Sequence, residues 1–414
     1  MMLHRMTGAR PPSHPPATDS GPVVRPDGAS CRIRGVWKGN PVFGPDVKQV
    51  KDDSANQLPL KMAGDPLAEV SGNPGRKVMT DSDFEQDEQK ANVPPFEEAG
   101  ELDEDIVLAL ENQVVGGADG PAGLKDPRSL YPDEEFEPRS QDYPGFTAAM
   151  RPRPDHGEHS YVGHHRMTGY RTLITGADSG IGRAAAIAYS REGADVAFTY
   201  LPEEEQDAAH TVQLIEDAGS RVLALPGDLQ DEHFCREVIA RTVREFGGLD
   251  VLVNNAGFQM STGKGIEDLS SEQFDRTFKT NVYALFWLSK AGLPHLQPGS
   301  SIINVSSIQG YDPSPSLIDY AATKAAIINL TYSLAESLGP QGIRVNAVAP
   351  GPIWTPLQPP TQPSEKIAHF GENTPLGRAG QPAELAATFV LLATSEASYM
   401  SGSVIGVTGG RHLS

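Results

Sequence analysis

The chain has only two cysteines in 414 residues, Cys31 and Cys235, far apart and in unlike contexts. They cannot supply a disulfide framework or a thiolate metal site, so two free thiols in a reducing compartment are expected. No run of about 18 apolar residues occurs, which speaks against a transmembrane helix. The N-terminus lacks the apolar stretch of a secretory signal, and Arg5 and Arg10 do not form a twin-arginine pair. A cytoplasmic location is the expectation. Positive charge is also short: the formal net charge is −20. That argues against a nucleic-acid partner and against a surface that seeks anionic lipid.

Periodicity is missing from residues 1–124. Proline and glycine are dense from Pro11 to Pro26, and large apolar residues rarely recur at helical or strand spacing. Such a stretch buries too little surface to offset its ordering entropy, and a largely disordered extension is expected, with one short amphipathic helix at 103–114. Its first part is mildly basic. From Met79-Thr80-Asp81 it turns abruptly acidic, with runs such as Glu97-Glu98 and Glu101 to Asp105. Met79 is therefore a candidate start, with residues 1–78 an over-long assignment.

Residues 125–168 are rich in proline, tyrosine and histidine without a clear period, and read as an arm packing on the main domain. His156, His159, His164 and His165 lack the i,i+4 frame of a metal site and are interrupted by prolines. They are expected to be surface residues, and no metal site is expected.

From Tyr170 onward the pattern changes. Short apolar runs at 172–175, 195–200, 222–225, 251–254, 301–305, 344–349 and 403–407 alternate with amphipathic stretches such as 183–192, 204–218 and 231–246. Seven β-like runs alternating with helices predict an α/β fold: a single Rossmann-type, doubly wound domain over 169–414 with a seven-stranded parallel sheet.

The first strand runs into Thr175-Gly176-Ala177-Asp178-Ser179-Gly180-Ile181-Gly182. Glycines at 176, 180 and 182 allow a tight turn and close approach to a pyrophosphate, and the helix that follows presents N–H donors. The second strand ends at Tyr200 with no carboxylate before Glu203, so the usual ribose-binding acid is absent there. Nor does an Arg or Lys before Arg183 offer an obvious 2′-phosphate clamp. The reading leans to NADP over NAD, with Tyr200 at the 2′ position. Asp228 in Gly227-Asp228-Leu229 is placed to accept from an adenine amino group, or else to cap the next helix. Asn254-Asn255-Ala256-Gly257 ends the fourth strand, where amides can tie strands together beside a cofactor.

Tyr320-Ala321-Ala322-Thr323-Lys324 sets a phenol and an ammonium one helical turn apart on one face. A nearby ammonium favours the phenolate, which suits proton exchange. Ser307, with Ser306 as the alternative, ends the fifth strand ahead of it, and Asn281 lies in the helical segment 274–291.

The glycine turn, Asn254 to Gly257, Asn281, Ser307, Tyr320-x-x-x-Lys324 and Pro350-Gly351 follow the order seen in the short-chain dehydrogenase/reductase family, which the chain resembles from Tyr170 to Ser414. In the arm, Asp142-Tyr143-Pro144-Gly145, Met150-Arg151-Pro152-Arg153-Pro154-Asp155 and Ser160-Tyr161-Val162-Gly163 resemble its bacterial glucose/ribitol dehydrogenase-like branch, which includes general stress proteins and NADP-dependent aldehyde reductases. The resemblance implies an NAD(P)-dependent oxidoreductase of a carbonyl/alcohol pair (aldehyde, ketone, sugar or polyol). Tyr320 would be general acid/base, and Lys324 would lower its pKa and hold the nicotinamide ribose. Ser307 would bond the substrate oxygen, and Asn281 would position a water. In Pro350-Gly351-Pro352-Ile353-Trp354-Thr355, the Ile353 backbone and Thr355 hydroxyl would hold the carboxamide. Leu229, Ala256 and Gly257 complete the expected cofactor contacts. The resemblance also implies a homo-tetramer, with 321–338 as one contact, and a substrate-covering loop at 354–373 that its prolines stiffen. The competing reading is a non-catalytic dinucleotide-binding or redox-sensing module, which the complete catalytic set disfavours.

Overall fold

The computed structural model describes residues 123–131, 136 and 141–414. Residues 1–122 lie outside it, and with them Cys31, the Met79 start, the acidic block and the helix expected at 103–114.

Seven strands are formed: β1 (Arg171–Thr175), β2 (Asp195–Tyr200), β3 (Val222–Pro226), β4 (Val251–Asn254), β5 (Ser301–Val305), β6 (Arg344–Pro350) and β7 (Val404–Val407). They pair in parallel in the order β3-β2-β1-β4-β5-β6-β7. This is the doubly wound Rossmann-type sheet expected. The strands β1, β4, β5 and β6 are buried almost throughout, because helices cover both faces of a parallel sheet. Their alternate residues feed two separate cores. Ile174, Val253, Ile303 and Val348 pack with Tyr189 and Phe389. Leu173, Leu252, Ile302 and Val345 pack with Val238, Leu288 and Leu338.

The helices follow from these faces. On the first side lie α1 (Gly180–Arg191), α2 (Glu205–Asp217) and, from the C-terminal part, the helix carrying Phe389. On the second lie α3 (Glu232–Phe246), α4 (Ser271–Phe278), and the core-forming α5 (Ala284–Gly292) and α6 (Ile318–Leu338), with α4 packed on α6. A short α7 (Ser364–Ala368) lies in the proline-rich loop, and α8 (Ala383–Ala393) carries Phe389. Asp231 caps α3 by accepting from the His233 N–H at 2.8 Å. Cys235 is buried as a free thiol in the second core and donates to the Leu229 carbonyl.

The segment 274–291 is not one α-helix. Between α4 and α5 the residues Lys279–Tyr283 form a π-turn, and Asn281 sits inside it. Such wide turns re-aim side chains and recur at functional sites.

The arm is tied to the domain by hydrogen bonds that carry little sequence periodicity. Glu192, buried at the end of α1, accepts from the Tyr161 hydroxyl at 2.6 Å, from the His164 and Arg166 N–H groups, and from the Arg166 guanidinium. The Trp354 indole donates to Pro152 O at 2.8 Å, and Ala383 N donates to Asp155 O at 3.0 Å. Thr147 N donates to the Asp207 carboxylate at 2.9 Å. His159, His164 and His165 are exposed, as expected. His156 is not: it is fully buried, 2.9 Å from Glu158 through Nδ1, and burial holds it towards the neutral form.

Among the described residues no helix is long and apolar enough to cross a membrane, and no group of His, Cys, Asp or Glu is arranged to hold a metal.

Candidate active site

One cleft of ≈ 420 Å³ opens at the carboxyl ends of the strands, the position where doubly wound sheets take ligands. Thr199 and Tyr200 of β2, Val305 of β5, Pro350 of β6, and residues just after β1, β3 and β4 line it.

The glycine turn is locked from the neighbouring strand. The Asn255 side chain donates to Thr175 O and Gly176 O, both at 2.8 Å. The Thr175 hydroxyl accepts from Asn255 N and Ala256 N at 2.9 Å. A Cβ on Gly182 would lie 2.1 Å from Gly176 O and 2.6 Å from Asn255 Nδ2, so only glycine allows this closeness. Ser179 precedes α1 but its side chain makes no cap, which leaves first-turn N–H groups facing the cleft. Gly176, Asp178, Ser179, Gly180, Ile181, Asn255, Ala256 and Gly257 all line the cleft, while Gly182 supports the turn from behind. These features fit a dinucleotide pyrophosphate.

Ser307, Tyr320 and Lys324 meet at the same cleft. The Ser306 hydroxyl donates to Lys324 O at 2.8 Å and is thereby occupied. The Ser307 hydroxyl accepts from Gln309 N at 3.1 Å and lines the cleft with the phenol, where its influence favours the phenolate. Burial outweighs this and pushes the Tyr320 phenol up to about 12. Burial likewise draws Lys324 down to about 7. Its ammonium donates to Val305 O at 2.8 Å and lies 5.3 Å from the centre of the Tyr320 ring. For both groups desolvation is the largest cause of the shift. Asn281 is buried beside them. Its Oδ1 accepts from Phe258 N, and its Nδ2 donates to Phe258 O and to the Thr323 hydroxyl.

At the far end, Asp228 and Leu229 line the cleft. Asp228 is not a helix cap, since Asp231 takes that role; its carboxylate accepts from the backbone and side chain of Gln230. Tyr200 lines the cleft, yet its hydroxyl donates to Glu205 at 2.6 Å. Asp178 is buried, with Oδ2 lacking a protein partner, and burial raises its carboxyl to about 6. Pro350, Gly351, Ile353 and Thr355 complete the opposite wall, and the chain after Ile353 is pinned by Trp354 N donating to Gly380 O at 2.9 Å.

The profile of the family described as Enoyl-(Acyl carrier protein) reductase matches residues 176–412. A short chain dehydrogenase from Burkholderia cenocepacia J2315, solved in complex with NADP, superposes with a TM-score of 0.55 at 35% identity, covering 59% of this chain and 98% of that one. The chain belongs to the short-chain dehydrogenase/reductase family. It is an oxidoreductase of that family. It is 53% identical over 291 residues to the uncharacterized oxidoreductase YghA of Escherichia coli (strain K12), covering 70% of this chain and 99% of YghA. It is 41% identical to the glucose and ribitol dehydrogenase of Daucus carota, covering 67% of this chain and 97% of that protein. These relatives agree with the glucose/ribitol dehydrogenase-like branch suggested by the arm.

Several cleft residues of this short-chain dehydrogenase/reductase were not legible as site residues in the sequence, Arg276 and four others among them. Tyr143 and Gly145 reach the cleft from the arm. Glu203 and Glu204 are brought back to it by the 3-10 turn Pro202–Glu204, where the Glu204 carboxylate accepts from Leu201 N. The signal for the last pair was present as the acidic run directly after β2, but only the turn's curvature returns it to the cleft.

Proposed function

We propose that the chain exchanges a hydride with a small carbonyl or alcohol substrate, an aldehyde, ketone, sugar or polyol, using NAD(P)(H). When bound, the nicotinamide supplies or accepts the hydride. Tyr320 gives the proton to the substrate oxygen, or takes it in the reverse direction, and Ser307 holds that oxygen in place. Lys324 sits beneath the pair and Asn281 fixes the backbone on which they meet. The observation that carries this reading is the meeting of Ser307, Tyr320 and Lys324 in one cleft with a pyrophosphate-type glycine turn.

For the cofactor, the strand end without an acid and the NADP-bound Burkholderia relative favour NADP(H). Glu203 and Glu204 at the cleft favour a plain 2′-hydroxyl. We read the site as accepting both cofactors. The same reading divides the chain into an extension (1–124), an arm (125–168) and a catalytic domain (169–414). It includes a homo-tetramer, for which Phe286 on α5 and Tyr332 on α6 offer exposed aromatic surface; light scattering on the full chain tests that part.

Tyr320→Phe tests the central claim. Loss of the proton-transfer group lowers turnover by roughly 10²–10⁴-fold, while reduced-cofactor fluorescence titration gives an unchanged Kd. Substantial residual turnover in a carbonyl screen would refute the assignment. Tight cofactor binding by the wild type with no turnover of any carbonyl or alcohol would favour the non-catalytic module.

A further inference from the structure

Arg276 on α4 lines the cleft, and the oxidoreductase mechanism above does not use it. Its guanidinium carbon lies 4.7 Å from the centre of the Tyr143 ring and 4.1 Å from that of Phe258. These two rings meet edge to face at 5.3 Å. The arrangement joins three parts of the chain. Tyr143 comes from the arm, Arg276 from α4, and Phe258 from the segment after β4 whose backbone Asn281 grips.

Two aromatic faces hold a guanidinium in place without consuming its hydrogen-bonding edge. Among the described residues Arg276 forms no salt bridge, and the neighbouring Asp275 is taken by Lys279 at 2.7 Å. Arg276 and Lys324 are the cations that line the cleft, and Lys324 is buried with its ammonium on Val305 O. The remaining charged lining residues, Asp178, Glu203, Glu204 and Asp228, are acidic. A half-buried guanidinium facing such a cleft is a planar donor fork suited to an oxyanion.

Its aromatic support is itself fastened. Gly145, two residues after Tyr143, is pressed so closely on the loop after β6 that a Cβ would lie 2.3 Å from Pro356 O. Thr147 N is bonded to Asp207, which also pairs with the buried Arg183 behind the glycine turn.

Building on the oxidoreductase reading, we propose that Arg276 is an oxyanion-binding residue of the cleft, oriented by Tyr143 of the arm and by Phe258. The arm is then part of the ligand site. The oxyanion is a phosphate of the dinucleotide or an acidic group on the carbonyl substrate, and the two sources are separable by experiment.

The test uses the full chain with Arg276→Leu, Arg276→Lys and Tyr143→Leu, each checked for folding by circular dichroism. Fluorescence titration with NADPH and NADH reads cofactor affinity without requiring turnover. Steady-state kinetics compare butanal with succinic semialdehyde, and glyceraldehyde with its 3-phosphate. A cofactor source predicts that Arg276→Leu weakens both dinucleotides by about tenfold or more, an effect that shrinks with added salt. A substrate source predicts unchanged cofactor Kd and a rise in KM of about tenfold for the charged member of a pair alone. Arg276→Lys retains charge without the planar fork and falls between wild type and Arg276→Leu. Tyr143→Leu moves the same quantity in the same direction. Folded Arg276 variants that leave cofactor Kd and the charged-to-neutral KM ratio at wild-type values overturn the proposal, and an unaffected Tyr143→Leu overturns the arm's share in it. A wild-type chain that neither binds a reduced dinucleotide nor turns over any substrate would instead remove the oxidoreductase reading.

Discussion

Asn281 grips the backbone of Phe258 from both sides: Oδ1 accepts from Phe258 N at 2.7 Å and Nδ2 donates to Phe258 O at 2.9 Å. The same Nδ2 donates to the Thr323 hydroxyl, which in turn donates to Tyr320 O. One side chain thereby couples the segment after β4 to the first turn of α6. The π-turn makes this reach available to it. A water-positioning role for Asn281 has to coexist with an amide already engaged on both atoms.

Asn281→Ala is therefore expected to act through geometry. It leaves buried backbone groups of Phe258 without partners, at about 1–3 kcal/mol, which urea denaturation measures. Displacing that segment also moves Gly257, where a Cβ would lie 3.5 Å from Lys324 Nζ. Turnover is expected to fall by roughly 10²-fold. A variant with full turnover and reduced stability would confine Asn281 to folding.

Lys324 carries a second expectation, in pH. Burial lowers its folded-state value from 10.5 to about 7. Between those two values the unfolded chain binds the proton and the folded chain does not, so this group makes stability rise with pH across the window. Below pH about 7 the desolvation penalty is fully present; above about 10.5 it is gone. Lys324→Met removes the titration. Its stability relative to wild type should be most favourable near pH 6 and should decline steadily towards pH 10. Chemical denaturation at a series of pH values gives that difference, and a difference flat with pH would count against a buried, depressed lysine.

The fold was legible because parallel strands buried on both faces write themselves as unbroken apolar runs. The runs at 195–200 and 301–305 are β2 and β5 to the residue. Ser307, Tyr320 and Lys324 could be set side by side on paper because a strand end leads into the first two turns of the next helix. What was hidden depends on distant pieces meeting or on local curvature. Nothing in the arm's composition places Tyr143 against Arg276. The apolar pattern of 274–291 runs smoothly through a π-turn that only backbone geometry reveals. The burial of His156 carries no periodic signal, since a partner two positions on, Glu158, is what lets the polar ring be buried.

Glu203 and Glu204 bear on the choice of cofactor and supply the last expectation. Both line the cleft near Tyr200, whose own hydroxyl is spent on Glu205. A 2′-phosphate brought to this end meets carboxylates and would be repelled. Burial, together with the nearby Asp178, raises the Glu204 carboxyl from 4.5 to about 8. Around neutral pH it is therefore largely protonated, and repulsion grows as pH rises through that value. The Glu203→Gln/Glu204→Gln chain should raise the ratio of kcat/KM for NADPH over NADH by about tenfold at pH 9, and by less at pH 6. Stability follows the same proton. The folded chain holds it between pH 4.5 and about 8 while the unfolded chain has lost it, so wild-type stability falls with rising pH across that window. The double variant should gain most over wild type above pH 8 and little near pH 4.5. Parallel measurement of the cofactor ratio and of denaturation midpoints at both extremes checks the two halves together, and a ratio that is indifferent to both residues would place the 2′ group elsewhere in the cleft.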